Sequence, residues 1–458
     1  MSSAESNLLE GGPRQAPATG TDFSDGVDLL TPVHATDPAA GTIGTDFSDG
    51  VDLLTPERVA DPYPVFAELR RRRPVFYNEH YRAWFIHRHD DLLAALKDPR
   101  FSSDRIRPVF EHKLTDAQRT ERAPTYRILG EWMVFRDPPD HTRLRKLVSR
   151  AFTPRAISLW RTRIIEVVDS LIDELAPRGR MDVISDFAYP LPAVVIAEMM
   201  GVPPEDRDLF KDWSDDLMVL VFGARGVEGR RLRAQNGLLE LSEYLGGLVR
   251  RFRAEPQENL IHTLIRAQEG DDTLTDDEIV GTCILLLFGG HETTTNLIGN
   301  GLHALLQNPD QLEHLRAHDG ADYLRAATEE ILRFDGPSKM QVRMAATDIE
   351  MGDQLIRRHD MVYLVQAAAN RDPDVFAEPD RFDLERNPTE HVGFGFGLHY
   401  CLGAAVARLE GSIALDALAR RLPDLRPGPE PPEWHPTLIS RGMSSFCVSY
   451  TPSEGAAA

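Results

Sequence analysis

Apolar positions along the chain follow two periods. Between residues 74 and 88, Val75, Phe76 and Tyr77 and then Trp84, Phe85 and Ile86 flank a polar Asn78-Glu79-His80 turn, which predicts a β-hairpin. Further on the spacing becomes three and four. Ile157, Trp160, Ile164, Ile165, Val168, Leu171 and Ile172 predict a helix over 156–175, and 236–252 behaves likewise. From about residue 55 to 451 no linker or low-complexity break interrupts the pattern. The expected product is one large unit, mainly α with small β-sheets (α+β).

The clearest helix starts at Thr275. Thr275-Asp276-Asp277-Glu278 is a capping box, in which a hydroxyl and a carboxylate satisfy free N–H groups at the helix start. The apolar pattern runs to Asn308, where Pro309 stops it. That is roughly 32 residues, or ~48 Å, enough to cross a domain. The middle is apolar on all sides and should be buried. Yet it holds Gly289-Gly290-His291-Glu292-Thr293-Thr294-Thr295. Each glycine costs the helix about 1 kcal/mol relative to Ala, and a carboxylate in a core is costly without a partner. Such a break in a local rule points to a functional site; a buried polar network that only shapes a kink is the other reading.

A second unusual segment is Phe394-Gly395-Phe396-Gly397-Leu398-His399-Tyr400-Cys401-Leu402-Gly403. Its glycines permit a tight turn and close approach to a flat ligand. Cys401 precedes an amphipathic helix (Ala405, Val406, Leu409, Ile413, Leu415), whose dipole and free N–H groups favour a thiolate. A thiolate there suits haem iron. Cys283 and Cys447 lack such a frame and are expected to be small buried hydrophobes.

These residues resemble the cytochrome P450 family. The cysteine-loop signature is filled by Phe394, Gly397, His399, Cys401 and Gly403, and the long-helix motif by Gly290, Glu292 and Thr293. The Glu-x-x-Arg motif is Glu330-Ile331-Leu332-Arg333, one helical turn apart. Residues 137–145 resemble the haem-contacting helix of the soluble bacterial members, and 370–373 and 379–382 match the approach to the cysteine loop. The motifs run in family order, from about 62 to 450.

The resemblance implies a fold with haem b between the long helix and the cysteine loop. Cys401 would be the iron ligand, the only protein–metal contact. His141, Arg145, Arg343 and His399 would pair with the haem propionates, and Phe394, Gly397 and Gly403 would shape the haem-side loop. Glu292 and Thr293 would be the catalytic acid–alcohol pair that supplies protons for O2 activation. Glu330 and Arg333 would form a buried structural ion pair. The implied reaction is monooxygenation: one atom of O2 enters a hydrophobic small molecule, by hydroxylation or epoxidation, as in secondary metabolism. Electrons would pass from NAD(P)H through a reductase and a ferredoxin or flavodoxin-type protein, with Arg143, Lys146 and Arg408 as cations for that donor. An H2O2-dependent peroxygenase is a rival, opposed by the intact Glu292-Thr293 pair. A haem-less recruitment module is another, opposed by Cys401 and the full cationic set. By the same analogy the substrate pocket draws on 107–134, 217–229, 285–290, 338–342 and 443–446. Among these are Leu286, Gly289, Gly290, Met340, Val342 and Met443, with Lys339 as a possible holder of a substrate carboxylate.

Charge adds one division. Of 458 residues, 51 are Lys or Arg and 72 Asp or Glu, a balance of −21 that argues against nucleic-acid binding. Residues 1–61 hold eleven acids against Arg14 and Arg58, and so −9 of it. This head contains a repeat: 20–32, Gly-Thr-Asp-Phe-Ser-Asp-Gly-Val-Asp-Leu-Leu-Thr-Pro, recurs at 44–56. The expected division is an acidic, disordered head over 1–56 and a single haem domain over 57–458. Two readings of the head stand side by side: a loose duplicated tail and a docking peptide for a basic partner. Three widely spaced cysteines do not make a disulfide framework. No signal peptide or ~20-residue apolar span is evident. The expectation is a cytoplasmic monomer with no membrane partner.

Overall fold

A computed structural model describes residues 50–222 and 230–453. The expected hairpin is present: Val75–Asn78 pairs antiparallel with Ala83–Ile86. It forms the edge of a five-stranded sheet that continues through Met361–Leu364, Gln341–Ala345 and Phe101–Ser102. Met361–Leu364 runs parallel to Ala83–Ile86, so the N- and C-terminal parts of the chain are joined in one sheet. Shorter sheets of two and three strands lie elsewhere among the described residues.

Helices make up the rest. Pro154–Leu175 carries the three- and four-residue spacing noted above and is capped by the Thr153 hydroxyl, which accepts from the Ala156 N–H. The long helix spans Asp276–Gln307, 32 residues, and both halves of its capping box form: Glu278 N–H donates to Thr275 Oγ1 and Thr275 N–H to Glu278 Oε2. It packs against Pro190–Met200, Arg230–Ala254, Ala321–Asp335 and Ala404–Arg421, which places it in the middle of the helical layer. Gly301 lets Leu415 and Ile331 close on it; a Cβ there would meet Leu415 Cδ1 at 2.8 Å.

Val183–Met200 is apolar enough over its 18 residues to cross a membrane, with a mean hydropathy of 1.4, but 61% of it is buried within the chain. Burial against the long helix accounts for its composition.

The end of the segment expected to be a disordered head is packed. Residues 1–49, with the whole first repeat, lie outside the described residues. Residues 50–56 of the second copy are packed. Val51 and Leu53 are buried, Val51 N–H donates to Asn78 Oδ1, and Leu53 N–H donates to the Tyr81 hydroxyl. An average over a long polar segment hides a short anchor of alternating apolar residues whose backbone groups find side-chain partners.

Candidate active site

The cysteine loop owes its shape to two glycines. Gly395 and Gly397 have φ of +75° and +71°, the left-handed region. A Cβ on Gly395 would also come within 2.4 Å of Gln341 Nε2. The loop closes with Cys401 N–H donating to Phe394 O at 2.9 Å, and the Ala404–Arg421 helix begins three residues on. Burial pushes the Cys401 thiol up. The N–H groups of Gly403 and Ala404 and the cations Arg145 and Arg408 oppose that shift. Arg408 stacks over Phe394, 4.5 Å from the ring centre.

Above the loop is a cavity of about 310 Å³ that opens to solvent. Cys401, Phe394, His399 and Gly403 line one wall. The long helix supplies the other through Leu285, Leu286, Gly289, Gly290, Thr293 and Thr294. Val134, Ile196 and Met199 close the apolar end. Ile196 and Met199 escaped the sequence reading because the Pro190–Met200 helix is apolar on nearly every face, so no periodicity marks the cavity side.

The polar middle of the long helix separates into three roles. His291 is satisfied, with Nδ1 2.8 Å from Ser214 Oγ and Nε2 3.2 Å from Tyr189 O. Thr293 Oγ1 donates to Gly289 O, one turn back. Glu292 is only partly satisfied: Oε1 accepts from Asn296 Nδ2 at 3.3 Å, and among the described residues the buried Oε2 has no hydrogen-bond partner. Burial pushes its carboxyl up to about 8, against the Ser440 and Asn296 groups beside it.

Four pocket expectations are corrected. Lys339, Met340, Val342 and Met443 do not line the cavity. The Lys339 ammonium donates to Thr437 O inside the fold, and burial lowers it to about 7. Met340 and Val342 pack in the core under the five-stranded sheet, and Met443 in the main helical core. Ser338 and Gln341 are the cavity-lining residues of that stretch. Leu217 is likewise a core residue, and 223–229 lie outside the described residues.

At the cavity edge the structure gathers basic side chains, two imidazoles and three guanidinium groups. His141 is buried, both its ring nitrogens lack a hydrogen-bond partner among the described residues, and its ring centre lies 4.0 Å from that of His399. Burial, then Arg343 and the neighbouring cations, push His399 down to about 2. Arg343 donates to Val342 O and Gln341 Oε1, and burial lowers it to about 10. Arg145 lines the cavity. Arg105 joins them: it donates to Val342 O at 3.1 Å, its Nε has no partner, and burial lowers it to about 9. Asp137 is the nearby carboxylate that bears on Arg343 and His141. Buried cations with so little counter-charge fit a flat ligand carrying carboxylates at its rim, as haem does. Arg105 was invisible in sequence because only a contact across some 240 residues brings it to the site.

Two further groups are placed outside the cavity. Glu330 and Arg333 form a fully buried pair, with Arg333 Nε 2.6 Å from Glu330 Oε2. Arg333 also donates to the carbonyls of Asn370, Pro379 and Arg381, and Glu330 accepts from Asp383 N–H. The three cations expected to meet an electron donor are already paired: Arg143 with Asp272 and Glu278, Lys146 with Glu269, and Arg408 with Glu329. The exposed side chains of the cysteine loop itself are apolar or aromatic, namely Phe396, Leu398 and Tyr400, and the exposed Lys97 ammonium lies over the Phe396 ring, 5.1 Å from its centre.

Comparison with known proteins bears on the same arrangement. A family model described as Cytochrome P450 matches residues 240–423. Cytochrome P450 107B1 of Saccharopolyspora erythraea is 42% identical over 373 residues, 80% of this chain and 89% of the relative. Cytochrome P450 monooxygenase PikC of Streptomyces venezuelae is 39% identical over 397 residues, 85% of this chain and 91% of its own. Among solved structures, P450BioI in complex with an acyl carrier protein ligated to hexadec-9Z-enoic acid superimposes with a TM-score of 0.79 at 36% identity, covering 86% of this chain and 99% of that one. Sequence identity at this level over nearly the full length of the relatives, with the same fold, makes the chain a member of the bacterial cytochrome P450 monooxygenase family.

Proposed function

We propose that this P450 inserts one atom of O2 into a hydrophobic small molecule, by hydroxylation or epoxidation, with electrons from a ferredoxin or flavodoxin-type donor and its NAD(P)H-dependent reductase. The observation that carries the reading is the cavity itself. It is apolar at the long-helix end, has a cysteine on the facing wall and has the basic side chains of His141, Arg145 and His399 at its edge. Cys401 would hold the iron of haem b, and His141, Arg145, Arg343, His399 and Arg105 would hold its propionates. When bound, the haem supplies O2 activation and oxygen transfer.

The chain's own residues do the rest. Leu285, Leu286, Val134, Ile196 and Met199 exclude water and orient an uncharged part of the substrate. Gly289 and Gly290 leave room beside the helix; among the described residues, the helix's own backbone aside, only Ile196 Cδ1 comes within 4 Å of a Cβ built there. Glu292 stores a proton in a buried carboxyl, and Thr293 places a hydroxyl at the cavity wall. Glu330 and Arg333 fix the backbone that leads to the cysteine loop. We place the enzyme in the cytoplasm, as a monomer with a single haem domain after the acidic head. The donor would meet Phe396, Leu398 and Tyr400 with Lys97 beside them, because Arg143, Lys146 and Arg408 are paired within the chain. The acyl-carrier complex of P450BioI adds carrier-linked fatty acyl chains to the ligands worth screening.

The test is turnover under labelled oxygen. Apolar ligands that bind are incubated with NADPH, a ferredoxin and its reductase under 18O2. One labelled oxygen atom in the product supports the reading. Turnover with H2O2 alone and none with the reductase system would replace it with a peroxygenase.

A further inference from the structure

Glu329 stands next to Glu330, but the two carboxylates serve different parts of the chain. At 3.6 residues per turn, neighbours on the Ala321–Asp335 helix point about 100° apart. Glu330 faces Arg333 and the segment that approaches the cysteine loop. Glu329 faces the loop itself. Its Oε2 lies 2.6 Å from His391 Nε2, and Arg408 donates to both its oxygens, from Nη2 to Oε2 at 2.9 Å and from Nε to Oε1. The Glu329 side chain is 13% exposed and that of His391 4%, so water screens the pair little. Burial would raise the Glu329 carboxyl; the His391 and Arg408 hydrogen bonds outweigh it and hold the group down to about 2.

The two partners of Glu329 lie on either side of the cysteine in sequence. His391 stands at the entry of the loop, where Gly393 N–H donates to His391 Nδ1 at 3.1 Å. That nitrogen is the acceptor of the neutral ring, so the proton sits on Nε2 and points at Glu329. Arg408 lies beyond the cysteine, on the Ala404–Arg421 helix. Its Nη1 donates to the Tyr400 hydroxyl at 3.2 Å, and its guanidinium stacks over Phe394. Phe394 O in turn accepts the Cys401 N–H. One carboxylate thus ties the entry of the loop to its exit, with Cys401 between them.

We propose that Glu329 is a positioning residue for the cysteine ligand, a clasp that fixes the Cys401 sulfur by holding both ends of its loop. Glu329 does not line the cavity above Cys401 and acts through His391 and Arg408. With the clasp open, the loop ends could spread and carry the sulfur away from the Gly403 and Ala404 N–H groups that favour a thiolate. A carboxamide cannot take the same place. Its oxygen would accept from one partner, while its NH2 would face a second donor. The proposal rests on Cys401 being the haem ligand.

The experiment uses the haem-loaded protein and two readouts, neither of them turnover. The first is hydrogen–deuterium exchange over 391–401, compared with the 321–335 helix. Glu329→Ala should speed exchange in the loop about tenfold, the size of one charge-assisted hydrogen bond, and leave the helix as it is. The second is the red-shifted band of the reduced, carbon-monoxide-bound protein, followed in denaturant below the onset of global unfolding. Glu329→Ala should lose that band faster by a similar factor while far-ultraviolet circular dichroism stays unchanged. Glu329→Gln, which keeps the volume, should show both changes at a smaller size, and it carries the test if Glu329→Ala does not fold. His391→Phe should add little in the Glu329→Ala background, because both remove the same contact. Loop exchange at the wild-type rate in these variants, beside an intact band, would overturn the clasp alone. So would band loss that only accompanies global unfolding. A wild-type protein that binds haem without the red-shifted band would overturn the ligand reading, and the clasp's purpose with it.

Discussion

Glu330 and Glu292 are two buried glutamates with opposite surroundings. Glu330 meets Arg333 through both oxygens and accepts from Asp383 N–H as well. Glu292 meets one amide at 3.3 Å with the Ser440 hydroxyl beside it, and among the described residues one oxygen has no hydrogen-bond partner. The cysteines divide in the same way. Cys283 has burial alone acting on it, which pushes it up to about 12. Cys401 has burial opposed by two N–H groups and two guanidinia. The arginines repeat the contrast: Arg333 donates to a carboxylate and three carbonyls, whereas Arg105 keeps a buried Nε without an acceptor. Fully partnered buried charge holds the fold, and under-partnered buried charge marks the place where a ligand or a proton belongs.

The strongest way to break this contrast is at Arg333. Arg333→Leu strips the buried Glu330 of its two-oxygen partner, leaving only the longer Arg386 contact at 3.3 Å as an ion pair, and should cost about 3 kcal/mol in denaturant unfolding. A loss below about 1 kcal/mol would remove the structural half of the comparison. Glu292→Gln should instead keep the fold and lower oxygenated-product formation on the order of 10²-fold. It should also alter the pH dependence of stability. The folded carboxyl titrates near 8 and the ordinary one near 4.5, so the folded state holds the extra proton between them. That contribution to stability falls as pH rises through this window, and Glu292→Gln should flatten the slope.

Smaller effects should follow at the cavity edge and outside it. Arg105→Leu removes a charge-assisted contact worth about 1.5 kcal/mol and should speed haem transfer to an acceptor globin about tenfold. Lys339→Met should leave binding of acidic and neutral ligands unchanged, read from the haem spectral shift, because the ammonium faces Thr437 O and not the cavity. A selective loss of acidic ligands would reverse that placement.

The sequence was most legible where one stretch of chain carries the whole signal. The Thr275 capping box, the long helix and the cysteine loop with Gly395 and Gly397 are local devices, and each formed where expected. Glu330 and Arg333 share a helical turn and were legible for the same reason. Arg105, Ile196, Met199 and Ser440 reach the site through folding at long range, and nothing in their neighbours distinguishes them. Lys339 went astray because proximity in sequence to Ser338 and Gln341 does not fix which side of the segment a side chain takes. The head misled in the other direction, since its composition concealed the anchoring of Val51 and Leu53.

The central claim is that Cys401, alone among the three cysteines, is the thiolate that holds the iron. It is tested most directly by the spectrum of the reduced, carbon-monoxide-bound protein. Wild type, Cys283→Ala and Cys447→Ala should all give the red-shifted band of a thiolate-ligated haem, and Cys401→Ser should lose it. Retention of that band in Cys401→Ser, or its loss in Cys283→Ala or Cys447→Ala, would contradict the account.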